Sequence, residues 1–135
     1  MKLTEEERQT IIKYRLERAK EALLDVDISI KNNRWHNAAN RLYYSCFYAV
    51  MALLIKDRHE ARTHSGVMTL LGKNYIKSGI IAKETGQVYR KTFNLRQTGD
   101  YDDLKIITEQ DVAPLIEPAK KFIQEIESLI NLKAT

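Results

Sequence analysis

Apolar side chains recur at Ile12, Leu16, Ala19, Leu23, Val26 and Ile30, spaced four, three, four, three and four residues apart. That is the period of one helix face, and it predicts an amphipathic helix over residues 5 to 31, stopped by Asn32-Asn33. From Arg34 to Ile55 two such lines run together. One is Trp35, Ala39, Leu42, Cys46, Ala49 and Leu53, the other Tyr43, Phe47, Val50 and Leu54. A helix apolar on two faces needs neighbours on two sides, so this segment is expected at the centre of the molecule. After the charged stretch Lys56-Asp57-Arg58-His59-Glu60, Thr63 is placed to cap a third helix that runs through Val67, Leu70, Leu71 and Tyr75 and ends at Gly79. Gly66 and Gly72 weaken that helix from within. A fourth spans Lys83 to Gln97 on Val88, Tyr89, Phe93 and Leu95, with Gly86 loosening its first turn, Gly99 placed to end it and Asp100-Tyr101-Asp102-Asp103 as the turn that follows. Thr108 and Asp111 have the spacing of a capping box, and Val112, Leu115, Ala119, Phe122, Ile126 and Leu129 carry a last helix to Leu132.

No segment alternates with the period of a strand, and the connections between candidate helices are short. The pattern therefore predicts an all-α fold, an up-and-down antiparallel helical bundle of four to five helices in a single domain over residues 1–135. Composition agrees. With 135 residues, 44% apolar and 30% charged, the chain has the make-up of one globular domain and no room for a separate catalytic module. Five glycines and two prolines exclude collagen-like and low-complexity architectures. The longest nearly unbroken apolar run, Cys46 to Ile55, is ten residues, about half of a membrane span, so no membrane association is expected. The acidic start Thr4-Glu5-Glu6-Glu7 is unlike an export signal, and one cysteine suits a reducing compartment, so a cytoplasmic location is expected.

The net charge of +4 is unevenly spread: residues 31 to 96 carry 12 basic and 3 acidic side chains, net +9, whereas residues 97 to 135 carry 4 and 8, net −4. Such a basic middle raises the local concentration of phosphate polymers, or is only a solvated face balancing an acidic last helix. Candidate chemistry is soon narrowed. His59 and His64 lie five residues apart, about 140° around a helix, and no Glu precedes a His by three, so neither a zincin nor a di-iron pattern is present. No metal site and no cofactor are expected. Cys46 falls on an apolar stripe and reads as core, and there is no glycine-rich phosphate loop.

Three polar clusters remain. Asn40-Arg41 interrupts the central helix beside Tyr43 and Tyr44, so Arg41 either snorkels to the surface or lines an anion site with Tyr44. Leu95-Arg96-Gln97-Thr98-Gly99-Asp100-Tyr101 gathers a guanidinium, a carboxylate and a phenol. Arg96 can grip a phosphate and Tyr101 stack on a base or give a proton; equally, Arg96 can bond Asp100 while Tyr101 packs on the end of the bundle. In Thr63-His64-Ser65-Gly66-Val67, helix capping accounts for Thr63 and Ser65, while His64 is a proton donor, a phosphate contact or only a polar cap.

These strings, Asn40-Arg41-Leu42-Tyr43-Tyr44-Ser45-Cys46-Phe47-Tyr48-Ala49, Thr63-His64-Ser65-Gly66-Val67, and Leu95-Arg96 with Asp100-Tyr101, in this order and over residues 10 to 130, resemble the HEPN family. Its members are small helical domains found beside or fused to minimal nucleotidyltransferases. The resemblance implies a helical bundle, commonly a homodimer, and in many members a metal-independent ribonuclease acting as a toxin or in phage defence. The family's signature is an Arg, four to six residues, then a His. Here Arg96 takes the Arg position, but Tyr101 stands after the four-residue gap and no His follows it. A literal match from Arg58 to His64 falls in the connection before the third helix, where the resemblance does not place a site.

The expected function is thus a nucleic-acid or nucleotide-binding HEPN-like domain, the partner subunit of a minimal nucleotidyltransferase in a toxin–antitoxin or defence pair. The alternatives are a ribonuclease toxin with Arg96, Tyr101 and His64 in a dimer-shared site, or a bundle that only oligomerises. Arg41, Tyr44 and Asp100 are the expected binding residues around that site. A tyrosine with its ordinary pKa near 10 is a poor base at neutral pH, so the ribonuclease reading requires a tuned environment.

Overall fold

The computed structural model describes residues 2–132. Five α-helices follow in order, α1 (Glu5–Lys31), α2 (Trp35–Lys56), α3 (His64–Leu71), α4 (Lys83–Tyr101) and α5 (Glu109–Asn131), with a π-helical turn at Gly72–Ile76 after α3. Among the described residues there is no strand. The sequence pattern and the architecture agree: α2 is central and packs against α1, α4 and α5, while α4 and α5 pack against each other.

Each helix starts and stops for local reasons. Thr4 accepts from the Glu7 amide and its own amide donates to Glu7 Oε1 at 2.9 Å, a capping box, and Glu5, Glu6 and Glu7 lie at the positive end of the α1 dipole. Asn33, in the left-handed region at φ 57°, reverses the chain between α1 and α2. The first stripe then meets α2, with Ile12, Ala19, Ala22 and Val26 buried. Helix α2 buries Ala38, Ala39, Leu42, Tyr43, Cys46, Ala49, Val50, Leu53 and Leu54. It is the one helix among the described residues long and apolar enough to cross a membrane, but 61% of the apolar stretch lies inside the bundle, which is where a core helix hides such a surface. Burial pushes the Cys46 thiol up to about 12, as suits a core residue rather than a nucleophile.

Two boundaries differ from the sequence pattern. The third helix is regular only to Leu71; from Gly72 it widens into the π turn, closed by the Lys77 amide donating to Gly72 O at 2.9 Å. Tyr75 on that turn is buried and its hydroxyl donates to Asp57 Oδ2 at 2.5 Å; the helical run ends at Ile76, short of the expected Gly79, which lies in the turn that follows with φ +85°. The fourth helix does not stop at Gln97 but continues through Gly99 and Asp100 to Tyr101, closed by the Asp102 amide on Thr98 O at 3.0 Å. Gly99 is not a cap. A Cβ there would stand 3.2 Å from Ile107 Cγ1 and 3.5 Å from His36 Cε1, so its missing side chain lets α4 lie close to the start of α2 and to the returning segment. Helix α5 opens with the expected pairing, Thr108 N–H donating to Asp111 Oδ2 at 2.9 Å, and stays helical across Pro114 and Pro118 while burying Val112, Ala119, Phe122, Ile123 and Ile126.

Candidate functional site

The extension of α4 decides the geometry of the polar cluster. With Asp100 in the helix rather than in a turn, it stands one turn from Arg96, whose Nε donates to Asp100 Oδ2 at 3.1 Å. Asn40 on α2 donates from Nδ2 to the same oxygen at 3.3 Å, and its own Oδ1 accepts from Arg41 Nε and Nη2 at 3.1 and 2.8 Å. His36, at the start of α2, has Nε2 3.4 Å from Asp100 Oδ1. Asp100 Oδ2 is thereby occupied by the protein itself, and its work is to hold Arg96 and, through Asn40, Arg41.

Arg96 is enclosed, with 11% of its side chain exposed, yet it is not saturated. Among the described residues only Asp100 accepts from it, through Nε, and neither Nη group has a hydrogen-bond partner. The guanidinium sits over three tyrosine rings instead, 5.4 Å from the centroid of Tyr43, 5.2 Å from Tyr44 and 5.8 Å from Tyr101. Aromatic faces stabilise the charge without using its donors, so the forked end remains free for an anion with two acceptor oxygens.

His64 arrives from the first turn of α3, which Thr63 caps by accepting from the Gly66 amide at 2.9 Å. Its Nδ1 shares a 2.7 Å hydrogen bond with the Tyr43 hydroxyl, which lies 3.4 Å from the Tyr89 hydroxyl, and its ring packs on Phe47 with centroids 4.7 Å apart. Tyr43, flanked in this way, can give a proton to Nδ1 or take one from it, so either neutral tautomer of His64 is accommodated. Burial first, and the positive charge of Arg96 second, hold the imidazole pKa below its usual value. Burial pushes the Tyr43 phenol up to about 12 and drives the Tyr89 phenol higher still. At neutral pH the site therefore has protonated phenols beside a neutral imidazole, whose Nε2 no described residue engages.

All six residues singled out from the sequence meet here. Arg41 lies 5.1 Å over Tyr44, Tyr44 and His64 are 5.9 Å apart, Arg96 joins Tyr44 to Tyr101, and Asp100 anchors Arg96. Tyr101 is 71% exposed, so its ring is presented to solvent over Arg96 rather than packed on the bundle end. The sequence pattern marks Asn40 only as a polar interruption of the central helix, without a role, and does not mark His36 or the Tyr43 hydroxyl as members. Periodicity assigns Tyr43 to the core, and its ring is indeed fully buried; that its oxygen reaches His64, 21 residues away, has no signature in helical periodicity. Arg58 does not join the cluster: it is exposed and its guanidinium lies 3.5 Å from Glu5 at the start of α1. His64 belongs with Arg96 in space, not with Arg58.

Similarity to known proteins runs over nearly the whole chain. The HEPN domain family model matches residues 12–129. A UPF0332 protein of Thermotoga maritima is 40% identical over 125 residues, 93% of this chain and 95% of that protein. Two proteins of Methanocaldococcus jannaschii, each named "Putative toxin", are 30% and 29% identical over 86% and 84% of this chain, and 86% and 78% of their own lengths.

Proposed function

The chain belongs to the HEPN domain family, and on that premise we propose that it is a nucleic-acid-binding toxin-type member whose Arg96 cluster grips a backbone phosphate. The observation that carries this reading is the enclosed Arg96 guanidinium with both Nη groups unpaired, held by Asp100 and faced by three tyrosines. A structural arginine spends its donors on the protein; this one keeps its fork for a ligand. Exposed Tyr101 and half-buried Tyr44 beside it supply faces for a base. The names of the two archaeal relatives support a toxin role. From the resemblance to HEPN proteins found with minimal nucleotidyltransferases we infer a nucleotidyltransferase partner, which the chain poisons or by which it is modified, and a homodimer as the working unit.

The test is RNA binding by fluorescence anisotropy across a salt series. Arg96→Ala is expected to weaken binding at least about tenfold and to reduce the slope of log K against log salt by about 0.7, the loss of one phosphate contact on a single strand. An unchanged affinity would remove the reading.

A second reading, ribonuclease, is favoured by one specific observation: a neutral His64 with a free Nε2 beside Arg96. Nε2 takes the proton of a ribose 2′-hydroxyl, the oxygen forms a bond to phosphorus as the bond to the 5′-oxygen breaks, Arg96 stabilises the charge on the phosphoryl oxygens, and the Tyr101 phenol protonates the leaving oxygen. In this scheme the imidazole of His64 supplies the base that the tyrosine cannot. Cleavage of labelled single-stranded RNA in the presence of chelator, lost in both His64→Gln and Arg96→Ala, is the expected result. Equal cleavage by all three proteins would mark a contaminant and end the nuclease reading.

A further inference from the structure

Beyond its two core stripes, α2 carries a third line of side chains, Arg41, Tyr44 and Tyr48, at spacings of three and four. All three are half-buried, an unusual state for large aromatics on a helix already apolar on two sides. The tyrosine rings are 5.9 Å apart and tilted by 38°. Cations bracket them at both ends. Arg96 and Arg41 lie 5.2 and 5.1 Å from the Tyr44 centroid, and Arg18 of α1 lies 5.1 Å from that of Tyr48, with its Nη2 donating to the Tyr48 hydroxyl at 3.0 Å. Tyr14, one turn before Arg18 on the same side of α1, is 58% exposed.

The order along the surface is therefore Tyr101, Arg96, Tyr44, Tyr48, Arg18, with guanidinium and phenol groups in one continuous chain of contacts. From Arg41 to Tyr48 the helix rises about 10 Å, more than one phosphate group spans. The same line of α2 continues to Met51 and Ile55, which open into a cavity of about 250 Å³ that Arg15 and Arg62 also line. A site for a lone phosphate or a mononucleotide would need only its Arg96 end.

We propose that this line is a track for a single-stranded nucleic acid, with bases stacked on Tyr44 and Tyr48 and phosphates of the same strand on Arg96 and Arg18, at either end of the stacked pair. Sequence-tolerant recognition of single strands is achieved by this combination, a row of cations along the backbone and aromatic faces for the bases. A duplex keeps its bases stacked on each other and has no use for Tyr48. The inference rests on the reading of Arg96 as a phosphate ligand and extends it by one subsite, Arg18 with Tyr48.

The experiment measures anisotropy of 2′-O-methyl oligouridines, which resist cleavage through the 2′-hydroxyl, as a dinucleotide and as an octamer, with a DNA octamer and an RNA duplex alongside. The wild-type chain is expected to bind the octamer more tightly than the dinucleotide. Tyr48→Ala should weaken the octamer about tenfold, the scale of one lost base stack, and leave the dinucleotide unchanged, while Tyr48→Phe keeps the stack. Arg18→Ala, on a partly exposed surface of α1, should lower the salt slope for the octamer by about 0.7; it remains informative even where Tyr48→Ala does not fold. Arg96→Ala should weaken both lengths. Comparison of the two octamers identifies the natural strand as RNA or DNA. If the wild type binds both lengths equally, or prefers the duplex, or if Tyr48→Ala and Arg18→Ala bind the octamer like the wild type while Arg96→Ala does not, the track is wrong and the Arg96 site stands. If the wild type binds neither length, both are overturned.

Discussion

At the scale of single residues, the most informative group is His64. Its folded-state pKa is lowered, by burial and then by Arg96, whereas in the unfolded chain it titrates near its ordinary value of about 6.5. Across the window between those two values the unfolded chain binds more protons than the folded one. Stability is then fully present above about pH 6.5 and is lost as pH falls through the window. Thermal melts from neutral toward mildly acidic pH should show a falling midpoint in the wild type and a shallower fall in His64→Gln, where the difference between the two proteins isolates this imidazole from His36 and His59. Identical pH dependence in the two would show that Arg96 and burial do not act on His64 as the geometry requires. A phosphate bound at Arg96 shields its charge from the imidazole, so saturating nucleic acid should raise the pKa of His64, readable from the ring-proton shift in a titration by NMR.

At the scale of elements, the crossing of α4 over the π turn rests on Gly86. A Cβ at that position would lie 2.2 Å from Ile76 Cδ1 and 2.8 Å from Ile76 Cγ1. Replacing an interior helical glycine by alanine ordinarily gains about 1 kcal/mol, but here the collision should turn the sign, and Gly86→Ala is expected to cost about 1–3 kcal/mol in urea unfolding. Ile76→Ala removes both offending atoms, so the double variant should be more stable than the sum of the single effects predicts; strict additivity would mean that the two residues do not meet. The glycines also mark the limit of what the sequence discloses. Periodicity places all five helices, because the stripes at Ile12 to Ile30, Trp35 to Leu53 and Val112 to Leu129 are set by burial in this very bundle. Gly79 turns the chain at positive φ, but Gly99 serves close packing against His36 and Ile107, and Gly86 serves packing against Ile76. A glycine in a string looks the same in all three roles. The site is legible in part for a related reason: Arg41, Tyr44, His64, Arg96, Asp100 and Tyr101 stand out as polar or amphipathic residues in apolar helices, whereas the Tyr43 hydroxyl and Asn40 become partners only when α2 meets α3 and α4.

At the scale of the whole molecule, the segment that follows α4 leaves apolar surface bare beside the site. Leu104 is 96% exposed, Ile106 79% and Tyr101 71%, while Ile107 between this segment and α5 is buried and pins it in place. Large side chains held in water on an anchored segment favour a covering surface, and a second copy of the chain would offer one with the same composition. We propose a two-fold contact through this segment, in which the patch on one chain meets the same patch on the other and Tyr101, which lies over Arg96, brings the two Arg96 clusters to one cleft. A dimer carries the net +9 of residues 31 to 96 twice, while Asp100, Asp102 and Asp103 place acidic side chains at the contact segment itself. Light scattering over a range of concentrations should therefore give a dimer that dissociates on dilution, and Leu104→Asp, which puts two carboxylates into the contact without touching the core, should give a monomer that melts at the temperature of the diluted, dissociated wild type. The two functional readings then separate. A phosphate held by Arg96, Tyr44 and His64 of one chain should still bind to the monomer, more weakly because the field of the second chain is gone. A cleavage reaction that draws Tyr101 from one copy and His64 from the other should be lost altogether. Leu104→Asp with wild-type cleavage as a monomer would place the whole reaction within a single chain, and a wild-type protein that is monomeric at every concentration would remove the shared cleft.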